Sequence, residues 1–213
     1  MRLTHWLLVA AVAGSWTSHY AGVQWFGVHR ACGYTVLVLV VFRIAWGFAG
    51  TLHSRFSSFI RGPRAVLEFL RSGLRDEHTG HNPVGGWSVL ALLAVLALQG
   101  VSGLFANDEV ASSGPLYGWL SHAASNRWTR VHHLNSDAMA VLIGLHMVAI
   151  AWYVWVRRKP LVRAMVTGMK PASTSGAAIG RTRWMRVALI VLAACVALAY
   201  AVNTAPEADV ALF

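Results

Sequence analysis

Charge is scarce in this chain. Of its 213 residues only 12% are Asp, Glu, Lys or Arg, and just eight are acidic. So few polar groups could not cover the apolar surface of a soluble domain of this length, which excludes a water-soluble globule. Cysteine is nearly absent as well. Cys32 and Cys195 each sit inside an apolar run with no spacing partner, which argues against a disulfide framework or a thiolate metal site. The shortage of acid leaves a formal charge of +10, but the basic residues lie in segments between apolar runs. They mark membrane topology rather than a nucleic-acid surface.

What the chain has in abundance is apolar sequence, 56% of the total, in runs long enough to cross about 30 Å of hydrocarbon. The fold class expected is all-α integral membrane, with helices near 3–21, 27–50, 84–105, 131–156 and 185–203. Ala11-Val12-Ala13 resembles a signal-peptidase site, but His5 and Trp6 interrupt the apolar run, so a first transmembrane helix is the preferred reading. Residues 63–74 read as an amphipathic helix at the membrane surface. Pro83, Gly85 and Gly86 break the chain before the third span. Two basic segments, 51–83 and 157–186, hold thirteen of the eighteen Lys and Arg residues. With five spans they share one side, which the positive-inside rule makes cytoplasmic, with the N-terminus inside and the C-terminus outside.

The chemistry centres on VHHLNSDAMAVLIGLH, residues 131–146. His132 and His146 are fourteen residues apart, so on a helix they project within about 40° of each other and roughly 21 Å apart along the axis. One helix could thus supply an axial ligand to each of two haems at different depths. His29 and His132 both start helices at the outer face, whereas His5 and His146 both lie toward the inner face. Depth therefore pairs His29 with His132 for an outer haem and His5 with His146 for an inner one. No CxxCH occurs, so the haems would be b-type, held without covalent attachment. Two histidines fill both axial positions, which suits electron transfer rather than oxygen activation. Arg30 and Arg43 are candidates for the outer and inner haem propionates, since an arginine inside an apolar span needs an anionic partner. His133 rivals His132 but points about 100° away. Asp137 reads as a proton-exchange group or a polar cap. His19, His53, His78, His81 and His122 read as interfacial or solvated; a zinc site at His78 and His81 lacks a third ligand.

The segments THW at 4–6, VHRACGY at 28–34, HNPVGGW at 81–87 and VHHLN…GLH at 131–146 resemble the bacterial cytochrome b561 and nickel-hydrogenase b-subunit family over about residues 3–170. The resemblance implies a four-helix transmembrane bundle with two b haems ligated by His5, His29, His132 and His146, in the bacterial inner membrane. The domain reading follows: 1–170 forms the diheme domain, and 171–213 a basic linker and a fifth transmembrane helix. Members of such a family carry electrons between the quinone pool, ubiquinone included, and a periplasmic redox partner such as a cytochrome c or an oxidoreductase. Whether the chain is itself an enzyme stays open. One alternative is superoxide oxidation with quinone as acceptor, for which Arg30, Arg127 and Arg130 would provide a basic outer rim. A different class, a haem-free proton-linked transporter using the buried histidines, Arg43 and Asp137, predicts a colourless protein.

Overall fold

A computed structural model of the chain describes residues 1–73, 82–109, 112–167 and 184–206. The architecture is helical: α1 (Arg2–Tyr20), α2 (Phe26–Ala49), α3 (Phe56–Phe59), α4 (Pro63–Arg71), α5 (Pro83–Phe105), α6 (His122–Trp155), α7 (Leu161–Thr167) and α8 (Trp184–Thr204). Among the described residues there is no strand; Asn107 and Ser113 form one isolated antiparallel bridge.

Among the described residues four segments are long and apolar enough to cross a membrane: Val23–Ala49, Pro83–Phe105, His122–Trp155 and Trp184–Thr204. The expected first span also forms a helix, α1, of 19 residues, but with Arg2, Thr4, His5, Ser15, Thr17, Ser18 and His19 it is less apolar than the others. It packs along α2, α2 packs on α5 and α5 on α6. The ring closes where Trp16 Nε1 donates to Ser136 Oγ at 3.3 Å, joining α1 to α6. Helix α8 lies against α2. The upper end of the bundle carries the α1–α2 turn and segment 106–121; the lower end carries α3, α4 and α7.

The centre of the bundle is apolar. Ala11, Val36, Val40, Leu93, Leu96 and Met139 bury together, one or two from each of α1, α2, α5 and α6. Val36 is seven residues beyond His29, and Met139 is seven from both His132 and His146. The core therefore sits as an apolar layer between two levels of histidine. Outside it the surface stays apolar: Val141, Leu145, Val148 and Trp152 of α6 are exposed, as expected of a helix face turned to lipid rather than to water. Gly47 lets this packing continue downward, since a Cβ there would collide with the Phe56 ring.

Helix α6 begins nine residues before the expected start at 131. Ser121 caps it by accepting from the Ala124 amide at 3.4 Å, and its first turns are polar. Their side chains hold segment 106–121: Asn107 Nδ2 donates to Ser125 Oγ (2.6 Å) and Asn126 Oδ1 (2.8 Å). Thr129 Oγ1 in turn accepts from the Asn107 amide at 2.9 Å. An apolar run marks where a helix enters hydrocarbon, not where its backbone begins. At 34 residues α6 is about 51 Å long and extends well beyond the hydrocarbon thickness. The helix expected over 63–74 appears as α4, Pro63–Arg71. Part of the second basic segment and His78 and His81 lie outside the described residues.

Candidate haem-ligand site

At the upper level, α2 and α6 bring His29 and His132 together with ring centroids 6.3 Å apart. Each ring has one nitrogen committed to backbone. His29 Nδ1 donates to the Ser15 carbonyl at 2.9 Å, and the Ser15 hydroxyl lies 3.2 Å from the same nitrogen. His132 Nδ1 donates to the Gln99 carbonyl at 3.1 Å, with Ser102 Oγ also 3.1 Å away. These bonds select the tautomer in which Nε2 carries the free lone pair. On His132 that lone pair accepts from the Gln99 side-chain amide at 3.1 Å. Asn135 holds the amide in place by donating to Gln99 Oε1 at 2.7 Å and to the Val95 carbonyl at 2.9 Å. Gly103 gives α5 the close approach this needs: a Cβ there would stand 3.0 Å from His132 Cε1.

The lower level is arranged differently. His5 on α1 and His146 on α6 lie close enough for a charge on one to act on the other. The Nδ1 atom of His5 is buried and has no hydrogen-bond partner. A buried polar atom left unsatisfied costs roughly 1–3 kcal/mol, so this one points to a group that completes the site. Arg43 lies at the same end, half-buried, with its guanidinium 5.1 Å from the Phe56 ring centre and Nη1 3.4 Å from the Ser54 carbonyl that accepts from it. The Met1 amine lies near it; burial first, then the charges of Arg43 and Arg2, hold that amine below its usual pKa.

The other candidates separate from these. Arg30 is exposed, its guanidinium 6.0 Å from the Phe26 ring centre. His133 and Asp137 are exposed on α6. His19 is exposed at the upper end, 5.9 Å from the His29 ring. His122 pairs instead with Glu109 at 3.5 Å. Among the described residues no cluster of three His, Cys, Asp or Glu is placed to hold a metal ion by itself.

The donor set fits a bis-histidine haem. A 6.3 Å centroid separation is of the size two imidazoles take when each bonds a shared metal ion at about 2.0 Å. Carbonyls behind both Nδ1 atoms are the usual outer support of metal-binding histidines. Gln99 and Ser102 are legible in the sequence as the polar residues of an otherwise apolar helix. The Ser15 carbonyl leaves no such signal.

Residues 1–168 match the model of a family described as prokaryotic cytochrome b561. A similar curated protein is a probable Ni/Fe-hydrogenase B-type cytochrome subunit of Rhizobium leguminosarum bv. viciae, 21% identical over 160 residues, covering 66% of this chain and 66% of that protein. No solved structure gives a significant match.

Proposed function

From the premise that the chain belongs to the prokaryotic cytochrome b561 family, and so is a membrane b-type cytochrome of electron transport, we propose that it carries electrons across the bacterial inner membrane through two haems. His29 and His132 hold the upper one, His5 and His146 the lower. Five helices cross the membrane, with α1, α2, α5 and α6 enclosing the haems and residues 171–213 forming an accessory linker and span. The upper end faces the periplasm, and the N-terminus the cytoplasm. Quinone or quinol exchanges electrons with one level, and a periplasmic cytochrome c or oxidoreductase with the other. A hydrogenase is one such partner, on the strength of the name of the Rhizobium relative.

The observation that carries this reading is the His29–His132 pair, 6.3 Å apart with both Nδ1 atoms committed to backbone carbonyls. A haem bound there would supply reversible one-electron chemistry at an iron with both axial positions filled. The chain supplies the rest. Ser15 and the Gln99 backbone hold the ligand tautomers. The Val36–Val40–Met139 layer keeps water from the space between the two levels. Arg43 offers a cation to a propionate at the lower level and Arg30 at the upper. A second reading, superoxide oxidation at the upper end with quinone as acceptor, draws on exposed Arg30, Arg127 and Arg130; superoxide-dependent quinone reduction by the purified protein would separate it from the first.

The test is a reduced-minus-oxidised spectrum with a pyridine haemochrome count on detergent-purified protein. Two haems per chain are expected, and one in His29→Ala or His132→Ala with the other retained. Either variant keeping both haems overturns the pairing, and a colourless protein overturns the electron-carrier reading.

A further inference from the structure

Away from the histidine levels, an apolar groove of about 430 Å³ opens sideways between α2, α3 and α5. Its size lies in the range of ligand pockets, roughly 300–1,000 Å³. Ile44 and Phe48 of α2, Phe56 of α3, Ile60 just after it and Leu93 and Ala97 of α5 line it. Almost none of its lining is polar, and no residue of α8, the helix packed on α2, lines it. The lining on α5 runs from Leu90 to Ala97, about 10 Å along the axis.

The lower mouth of the groove is polar and basic. Ile60 leads directly into Arg61, Gly62, Pro63 and Arg64, and both arginines are exposed. The Trp87 indole, one turn below Leu90, donates to the Arg61 carbonyl at 2.9 Å. It thereby ties this stretch to a tryptophan, the residue type enriched at the border between hydrocarbon and headgroups. Arg55 lies in the same connection, its Nε donating to the Gly50 carbonyl at 2.9 Å. Among the described residues of this stretch Glu68 on α4 is the acid, against Arg55, Arg61 and Arg64.

We propose that this groove binds one anionic phospholipid of the adjoining leaflet, with an acyl chain along Leu90–Ala97 and the headgroup phosphate at Arg61 and Arg64. An apolar slot aligned with a basic, tryptophan-marked rim matches the two halves of such a molecule. A quinone would fill the slot but has no anion for the rim. The site does not depend on the haem assignment.

The test compares full-length proteins purified in mild detergent and exchanged into lipid mixtures, with bound lipid counted by native mass spectrometry. Wild-type protein should retain one phosphatidylglycerol per chain in preference to phosphatidylcholine. Removing both charges in R61Q/R64Q should weaken that retention about thirtyfold, taking each basic contact at the membrane surface at its typical strength. Ala94→Trp, which fills the groove from an exposed α5 position, should abolish retention, while Arg127→Gln at the upper end should leave it intact. Equal retention by all variants, no preference for the anionic lipid, or a quinone bound in place of the phospholipid would each overturn the proposal.

Discussion

His132 sits in a polar cluster with Gln99, Ser102 and Asn135, and its neighbours set what its imidazole can do. Ser102 is completely buried and places its hydroxyl 3.1 Å from both His132 Nδ1 and the Gln99 carbonyl. Oxygen atoms behind Nδ1 give the ring partial imidazolate character and make it a stronger donor at Nε2. Ser102→Ala leaves the Gln99 carbonyl alone behind that ring. The expected outcome is a higher midpoint potential for the upper haem in a redox titration, with the lower haem unmoved. The cost in stability would be about 0.5–1.5 kcal/mol, the net value of one hydrogen bond. A purely structural serine would leave both potentials where they were. The same neighbourhood separates His132 from His133, which sequence spacing favours only by face: His132 turns toward Gln99 and Ser102, and His133 outward.

At the scale of elements, α6 shows how a helix can be read correctly in its apolar part and missed in its polar part. Its nine extra residues exist because Ser121 caps them and because Asn107, Ser125, Asn126 and Thr129 satisfy one another across the join with segment 106–121. Gly114 completes that join: its amide donates to the Ala106 carbonyl at 2.7 Å, and a Cβ there would collide with the Gly103 and Leu104 carbonyls. Asn107→Ala removes the side-chain bonds to Ser125 and Asn126 and the acceptor of the Glu109 amide, at about 1–3 kcal/mol. Faster amide exchange is expected over 122–130, measured by mass spectrometry, with 139–150 unchanged. Uniform exchange along α6 would mean that the polar turns stand without Asn107. Sequence reading places the start of α6 at 131, because neither the Ser121 cap nor the partners across the join, about twenty positions away, show in an apolar pattern.

On the scale of the whole molecule, the charge pattern and the fold make one joint prediction about orientation. The basic connections at the lower end should lie in the cytoplasm and the end of α8 outside it. An alkaline phosphatase fused after Pro206 should be active and one fused after Lys159 inactive; the reverse would invert the topology. Sequence alone determines the helical class, four of the five expected spans, the short helix α4 and the histidines that share the α6 face. All of these are period and composition effects within one segment, and local chemistry dictates them. The tertiary structure alone decides that α2 and α6 bring the His29 and His132 rings to a centroid separation of 6.3 Å, and that His5 Nδ1 is buried without a hydrogen-bond partner. It also decides that the Gln99 carbonyl and Ser102 stand behind His132 and the Ser15 carbonyl behind His29, and that Val36, Val40 and Met139 pack into an apolar layer between the two levels. These arrangements depend on which helices are neighbours and how each is rotated. Packing of distant apolar faces sets that, and no stretch of the chain encodes it by itself.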